Sequence, residues 1–213
     1  MGDLLRTSSC LINGGANDVF FQLAAAQAVG TKAALLHALE EITRSAIDLA
    51  KIVATLVANG ATHVVVMNLP DIGRAPLGVA SSDHGQLLTQ VSQLFNITLA
   101  AAFKLQQRRF GGKVTLIDAF NFIDGVIANF RTYGFRVSNT TTACNLSLQV
   151  TIAVQHHLNN PTLFGSSLFC SPNTYTTEGT DYTFMVADFV HPTTHLNALF
   201  ALFVEQQIAP NIW

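Results

Sequence analysis

Apolar positions along the chain fall into three similar blocks, each a short apolar run followed by a longer segment of helical periodicity. The first run is Ser9-Cys10-Leu11-Ile12, and it ends in Asn13-Gly14-Gly15. Glycines at the end of an apolar strand permit a tight turn. The Ala-rich stretch from Val19 to Val29 then reads as helix, broken and capped by Gly30-Thr31. From Lys32 to about Ala58, Leu35, Leu39, Ile42, Ala46, Leu49, Val53 and Leu56 are spaced by four and three in alternation. That puts them on one helical face, and Asn59-Gly60 is a stop. The second run, His63 to Met67, is continuous and β-branched, as suits a strand buried on both faces. After the turn Asn68-Leu69-Pro70-Asp71, a helix is expected from Asp83 to Arg109, ended by Gly111-Gly112. The third run is Lys113 to Asp118, and Ala119 to about Asn129 reads as its helix.

Between residues 135 and 181 the periodicity is lost. Polar turn residues dominate, and Leu146 to Val154 is the one candidate element. A segment this long without clear structure is usually functional or stapled. Order returns at Tyr182 to Ala187, and a last helix is expected from about Thr193 to Ala209. Strands alternating with long helices predict an α/β fold: a parallel sheet covered on both sides, a three-layer αβα sandwich. We read residues 1–213 as a single domain with an irregular start at residues 1–10. Ligands of such sheets bind at the carboxyl ends of the strands. Gly15 to Asp18, Asn68 to Asp71 and the turn after Ile117 should therefore share one rim.

Composition narrows the function classes. Hydrophobic residues make up 49% of the 213 positions and charged residues 11%, against roughly 25% charged in an average soluble domain. Eleven Lys and Arg against 13 Asp and Glu leave a net charge of -2, so there is no basic footprint for nucleic acid. No apolar run is long enough for a convincing membrane span; the best, Ile42 to Val57, is broken by Arg44, Asp48 and Lys51. The N-terminal residues lack a signal-peptide pattern, so either the protein is cytosolic or its leader lies outside this chain. Cys144 and Cys170 flank the irregular segment. A disulfide there would stabilise the loop by about 3 kcal/mol on the chain-entropy model, and two free thiols are the alternative. Cys10 reads as a buried hydrophobe.

Two clusters could carry chemistry. Gly15-Ala16-Asn17-Asp18 follows the first strand. It is either a plain βα turn or a place where the Asn17 amide donates to a developing oxyanion. Asp188-Phe189-Val190-His191-Pro192 places a carboxylate three residues before a histidine. Asp188 could fix the tautomer of His191 and leave its other ring nitrogen as a general base. The alternative is a capped helix start with a solvated histidine, with Pro192 opening the helix. His195, one turn on, could line the same rim. His156-His157 has no carboxylate or cysteine at ligand spacing, so no metal is expected.

In order along the chain these stretches resemble the SGNH (GDSL-type) lipase and esterase family, in its bacterial secreted and autotransporter branch. Gly15-Ala16-Asn17-Asp18 matches the family's Gly-x-Asn-Asp block. Asn68-Leu69-Pro70-Asp71-Ile72-Gly73 resembles Asn-Leu-Pro-Asp-Leu-Gly. The residues from Asn129 to Phe135 resemble Asn-Pro-x-x-Tyr-Gly-Phe, with Phe130 in place of the proline. Asp188 to Thr193 matches Asp-x-x-His-Pro-Thr. Cys144 and Cys170 sit where this branch often carries a disulfide. The resemblance implies a carboxylesterase or lipase for short- to medium-chain acyl esters, acting through an acyl-enzyme. His191 would be the base, Asp188 its orienting carboxylate, and Asn17 with Gly15 the oxyanion donors. No cofactor is implied. The implied location is secreted, periplasmic or outer-membrane-associated.

The chain departs from the family at the nucleophile. Gly2-Asp3-Leu4-Leu5 mimics the Gly-Asp-Ser-Leu block but has Leu4 where the serine belongs. Ser8, Ser9 and Cys10 lie too far back along an extended strand to reach the rim, and Ser81 and Ser82 fall in a loop. The nucleophile therefore stays unassigned. The chain resembles the C-terminal two-thirds or so of a family member without its first strands. Two alternatives follow: a non-catalytic remnant that binds lipid-like ligands or a partner, and a fragment complemented by a serine-bearing segment. A missing neighbour would leave Cys10 to Ile12 as an open apolar edge, a surface for pairing with a second copy of the chain.

Overall fold

The computed structural model describes residues 9–209. Gly2-Asp3-Leu4-Leu5, Ser8 and most of the irregular start fall outside the described residues. The elements are β1 (Ser9–Ile12), α1 (Ala16–Val29), α2 (Lys32–Ala58), β2 (His63–Met67), α3 (Pro76–Val79), α4 (Gln86–Phe110), β3 (Val114–Ile117), α5 (Ala119–Ala128), α6 (Leu146–Gln155), α7 (Thr180–Thr183) and α8 (Thr194–Ile208). The fold is α/β. By its contacts the chain forms two compact units, each assembled from separate stretches.

The first unit holds residues 9–71, Leu87–Asn121 and residues 206–209. Its sheet is fully parallel in the order β1-β2-β3. Leu11 pairs with Val65, and Val65 with Thr115. In the central strand Val64, Val65 and Val66 are all buried, which is why that run is apolar without alternation. Strand β1 lies at an edge, and Leu11 is 61% exposed. Cys10 is half-exposed rather than buried. An edge strand has a sheet neighbour on one side, so its side chains gain less cover.

Helix α2 spans the expected residues and is capped by Thr31, whose hydroxyl accepts from the Ala34 N–H at 3.2 Å. Its buried stripe is Ala38, Ile42, Ala46, Leu49, Ala50, Val53 and Val57. Leu35, Leu39 and Leu56 are only half-buried. The four-three spacing has a period of 3.5, and a straight helix drifts from it by about 20° per heptad. Over a helix this long, burial slides from Leu56 to Val57. Helix α4 begins at Gln86, three residues later than expected. His84 and Gly85 have φ of 52° and 82°, which a right-handed helix cannot include.

The second unit holds Ile72–Gln86 and Phe122–Glu205. Its core gathers Val126, Ile127, Phe135, Met185, Val186 and Leu196, with Phe122, Phe130 and Leu199 packed against it. The Phe122 ring stacks on Phe203 at 4.6 Å. Tyr182 to Ala187 forms no strand. Its backbone bonds to short separate partners instead: Met185 N–H to the Val137 carbonyl, and Ala143 N–H to the Val186 carbonyl. The irregular segment is organised by α6, three 3₁₀ turns and a disulfide between Cys144 and Cys170, with Cα atoms 5.7 Å apart.

Candidate functional site

The best-organised group of chemically capable side chains lies in the second unit, in the turn from Ala187 to His191. The Ala187 N–H donates to the His191 carbonyl at 2.8 Å, closing the turn. Below it, Thr193 donates its hydroxyl to the Phe184 carbonyl at 2.8 Å and its N–H to the Met185 carbonyl at 3.0 Å. The turn is therefore clamped at its base to the unit's core.

Asp188 lies inside this turn and is 4% exposed. Its Oδ1 accepts from the N–H groups of Val190 at 2.9 Å and His191 at 2.8 Å. Its Oδ2 accepts from the Ser167 N–H at 2.7 Å. The His191 ring completes the set, with Nδ1 at 2.8 Å from Oδ2 and 3.0 Å from Oδ1. Burial alone would raise the Asp188 pKa. The N–H groups of Val190, Ser167 and His191, together with the ring, outweigh it and hold the carboxyl at about 2. Asp188 is thus a carboxylate at any ordinary pH, able only to accept. In the neutral ring the proton must then sit on Nδ1, leaving Nε2 with a free lone pair. The His191 side chain is 62% exposed despite its bond to Asp188. Asp188 does not cap the last helix; Thr193 precedes that helix, and α8 starts at Thr194, not at the proline.

His195 does not join this pair. Its Nδ1 donates to the Tyr182 carbonyl at 2.7 Å, and its ring packs on Phe135 at 4.6 Å. Ser81 is equally committed. Its hydroxyl lies 2.5 Å from the Gly78 carbonyl and 2.7 Å from Asp83 Oδ1, and it accepts from the Gly85 N–H. Ser82 is exposed in the same turn. Among the described residues, no hydroxyl bonds to His191 Nε2, and no three His, Cys, Asp or Glu side chains gather to hold a metal ion.

Gly15 and Asn17 belong to the first unit. Gly15 caps α1 at φ 108°, and a Cβ there would stand 2.3 Å from the Phe95 ring. Asn17 is exposed in the first turn, while Asp18 accepts from the Ser45 hydroxyl at 3.0 Å. Two of the three expected rim segments meet. Asn68 donates to Asp118 Oδ1 at 3.0 Å and accepts from the Phe120 N–H at 3.1 Å. Burial acts to raise the Asp118 pKa, but bonds from Asn68, Asn121 and Phe120 lower it overall. The rest of the Asn-Leu-Pro-Asp segment turns inward. The Asn96 amide brackets Leu69, accepting from its N–H and donating to its carbonyl, both at 2.8 Å. Asp71 accepts from the Thr89 hydroxyl at 2.6 Å. Sequence reasoning missed Asn96, a polar residue within an otherwise ordinary helix. It also missed Ser167, which contributes a backbone group and leaves no side-chain signal.

The chain matches no family model and no curated protein sequence. No described helix is long and apolar enough to cross a membrane. The disulfide is consistent with an extracellular or periplasmic protein.

Proposed function

We propose that the chain is a carboxylic-ester hydrolase of the SGNH type, with His191 as general base and Asp188 as its orienting carboxylate. One observation carries this reading: a buried, fully hydrogen-bonded carboxylate fixes Nδ1 of a histidine whose side chain is otherwise largely exposed. In the proposed reaction Nε2 takes the proton of an attacking hydroxyl as its oxygen bonds to the ester carbonyl carbon. The imidazolium then returns that proton to the departing alkoxide, and water releases the acid in a second, mirrored cycle. Acyl esters suit the surroundings. Leu77 donates its N–H to the Phe189 carbonyl, and Leu77, Phe189 and Leu168 are all exposed apolar side chains. The family resemblance would add Asn17 and Gly15 as oxyanion donors, a role tested separately by the turnover of Asn17→Ala.

Leu4, where the resembling block has its serine, favours a second reading, in which the fold binds lipid-like ligands or is complemented by a segment carrying the serine. Fluorophosphonate labelling with peptide mapping separates the two. An adduct on one serine that disappears in His191→Ala supports the hydrolase. No adduct, with no ester turnover, leaves the binding reading. The same proposal includes a secreted or periplasmic location, a three-layer sandwich and association of copies along the β1 edge.

A further inference from the structure

The geometry points to the Cys144–Cys170 disulfide as a positioning element for the Asp188–His191 pair. The inference concerns the pair itself and holds whether or not the pair hydrolyses esters. Among the described residues that hold the Asp188 carboxylate, Val190 and His191 are its own near neighbours in sequence, and Ser167 alone comes from a distant segment, 21 residues away. Ser167 opens a 3₁₀ turn that ends at Cys170, whose N–H donates back to the Ser167 carbonyl at 3.1 Å. Cys170 is bonded to Cys144. Cys144 is buried, and its N–H donates to the Ala187 carbonyl at 3.0 Å. Ala187 is the residue before Asp188.

These contacts form a closed ring. It runs from the Asp188 carboxylate to Ser167, on to Cys170, across the disulfide to Cys144, and back through Ala187 to Asp188. The disulfide is its one covalent cross-link. With it in place, the Ser167 N–H is held against Oδ2, while the local turn supplies its N–H groups to Oδ1. Without it, the segment from Pro161 to Phe169 keeps its packing on α6, where Gly165 lies against Val150, and the chain beyond keeps the backbone bonds of Thr174 and Thr176 to Asn145 and Ala143, but the covalent link at Cys170, three residues from Ser167, is lost. The titratable side chain in contact with Asp188 is His191, so a change in the Ser167 bond reads out directly on this pair.

The test is an NMR titration of the Asp188 carboxyl carbon, with amide exchange measured in parallel. Dithiothreitol supplies two electrons and two protons, leaving thiols at Cys144 and Cys170 and closing to its own cyclic disulfide. Acidification then holds the thiols reduced for the titration. The expected result is an Asp188 midpoint that rises by about one unit on reduction, with exchange at the Ser167 amide faster by roughly tenfold. Amides of Val126, Ile127 and Met185 in the unit's core should keep their protection. Ser167→Pro calibrates the effect with the disulfide intact. Ser166 sits at φ -147°, ψ 163°, which suits a residue before proline, and the substitution replaces the N–H that Asp188 accepts with the ring Cδ, which cannot donate. It should raise the midpoint as reduction does, and reducing this variant should add nothing further. A midpoint unmoved by reduction overturns the proposal. So does a loss of protection spread over the whole core, because the claim is for a local clamp.

Discussion

Replacing Asp188 by asparagine isolates the charge that the turn is built to hold. Burial of the carboxyl is outweighed by three N–H donors and the His191 ring, which hold its pKa at about 2 instead of the usual 3.8. At about 1.4 kcal/mol per pH unit, that difference stabilises the folded state by about 2 kcal/mol. The sign follows from the direction of the shift. A carboxyl whose pKa is depressed on folding contributes fully above 3.8, and the contribution is lost as the pH falls through the interval from 3.8 to 2. Asp188→Asn lacks this part altogether. It also sets an amide N–H₂ against donors that need an acceptor, which adds a cost of about 1–3 kcal/mol with little pH dependence. Urea unfolding followed by circular dichroism, with the disulfide intact, should therefore show wild type ahead of the variant by about 3–5 kcal/mol at pH 6. The gap should close by about 2 kcal/mol at pH 2. His191→Ala provides the contrast, since the three backbone donors stay in place and most of the acid-linked stability should survive. A gap between wild type and Asp188→Asn that is constant from pH 6 to pH 2 would refute the reasoning.

Four further substitutions test the packing around the candidate residues. Gly15→Ala combines φ 108° with a Cβ 2.3 Å from the Phe95 ring and should cost about 3 kcal/mol or more by urea unfolding; adding Phe95→Ala should relieve the clash but not the backbone strain. Asn96→Ala strips both amide bonds from Leu69 and should lower stability by about 2–4 kcal/mol, seen as a lower urea midpoint at unchanged slope. Gln149 is buried, and among the described residues neither of its side-chain amide atoms has a hydrogen-bond partner, so Gln149→Met should raise the thermal midpoint, by about 1 kcal/mol in stability. Leu11→Lys places a charge on the exposed β1 edge and should lower the mass measured by light scattering at micromolar concentration if copies pair there; an unchanged mass counts against that pairing.

Strand β1 occupies the residues read for it, Ser9 to Ile12, although none of them is buried; His63 to Met67 was legible because burial on two faces demands a continuous apolar run. The long helix α2 was legible for the same reason, since its apolar spacing repeats over many turns. The start of α4 was not, because the turn at Asp83 to Gly85 depends on backbone angles and on the Ser81 hydroxyl rather than on hydrophobic pattern. The pairing of Asp188 with His191 could be read from a three-residue spacing within one turn. The Ser167 N–H could not, because it comes from a residue whose identity is irrelevant to the bond it makes. The Asn68 to Asp71 segment was read as part of a rim. The fold uses Leu69 and Asp71 inwardly, as partners for Asn96 and Thr89, a use that only the packed helix α4 reveals.

The central claim is that His191, oriented by Asp188, works as a base on esters. The most direct measurement is hydrolysis of p-nitrophenyl butyrate by the purified oxidised protein and by His191→Ala, across pH 5 to 9. The account predicts turnover by wild type that falls by a factor on the order of 10² to 10⁴ in the variant. Turnover that is equal in the two proteins, or absent from wild type across the whole range, would contradict it.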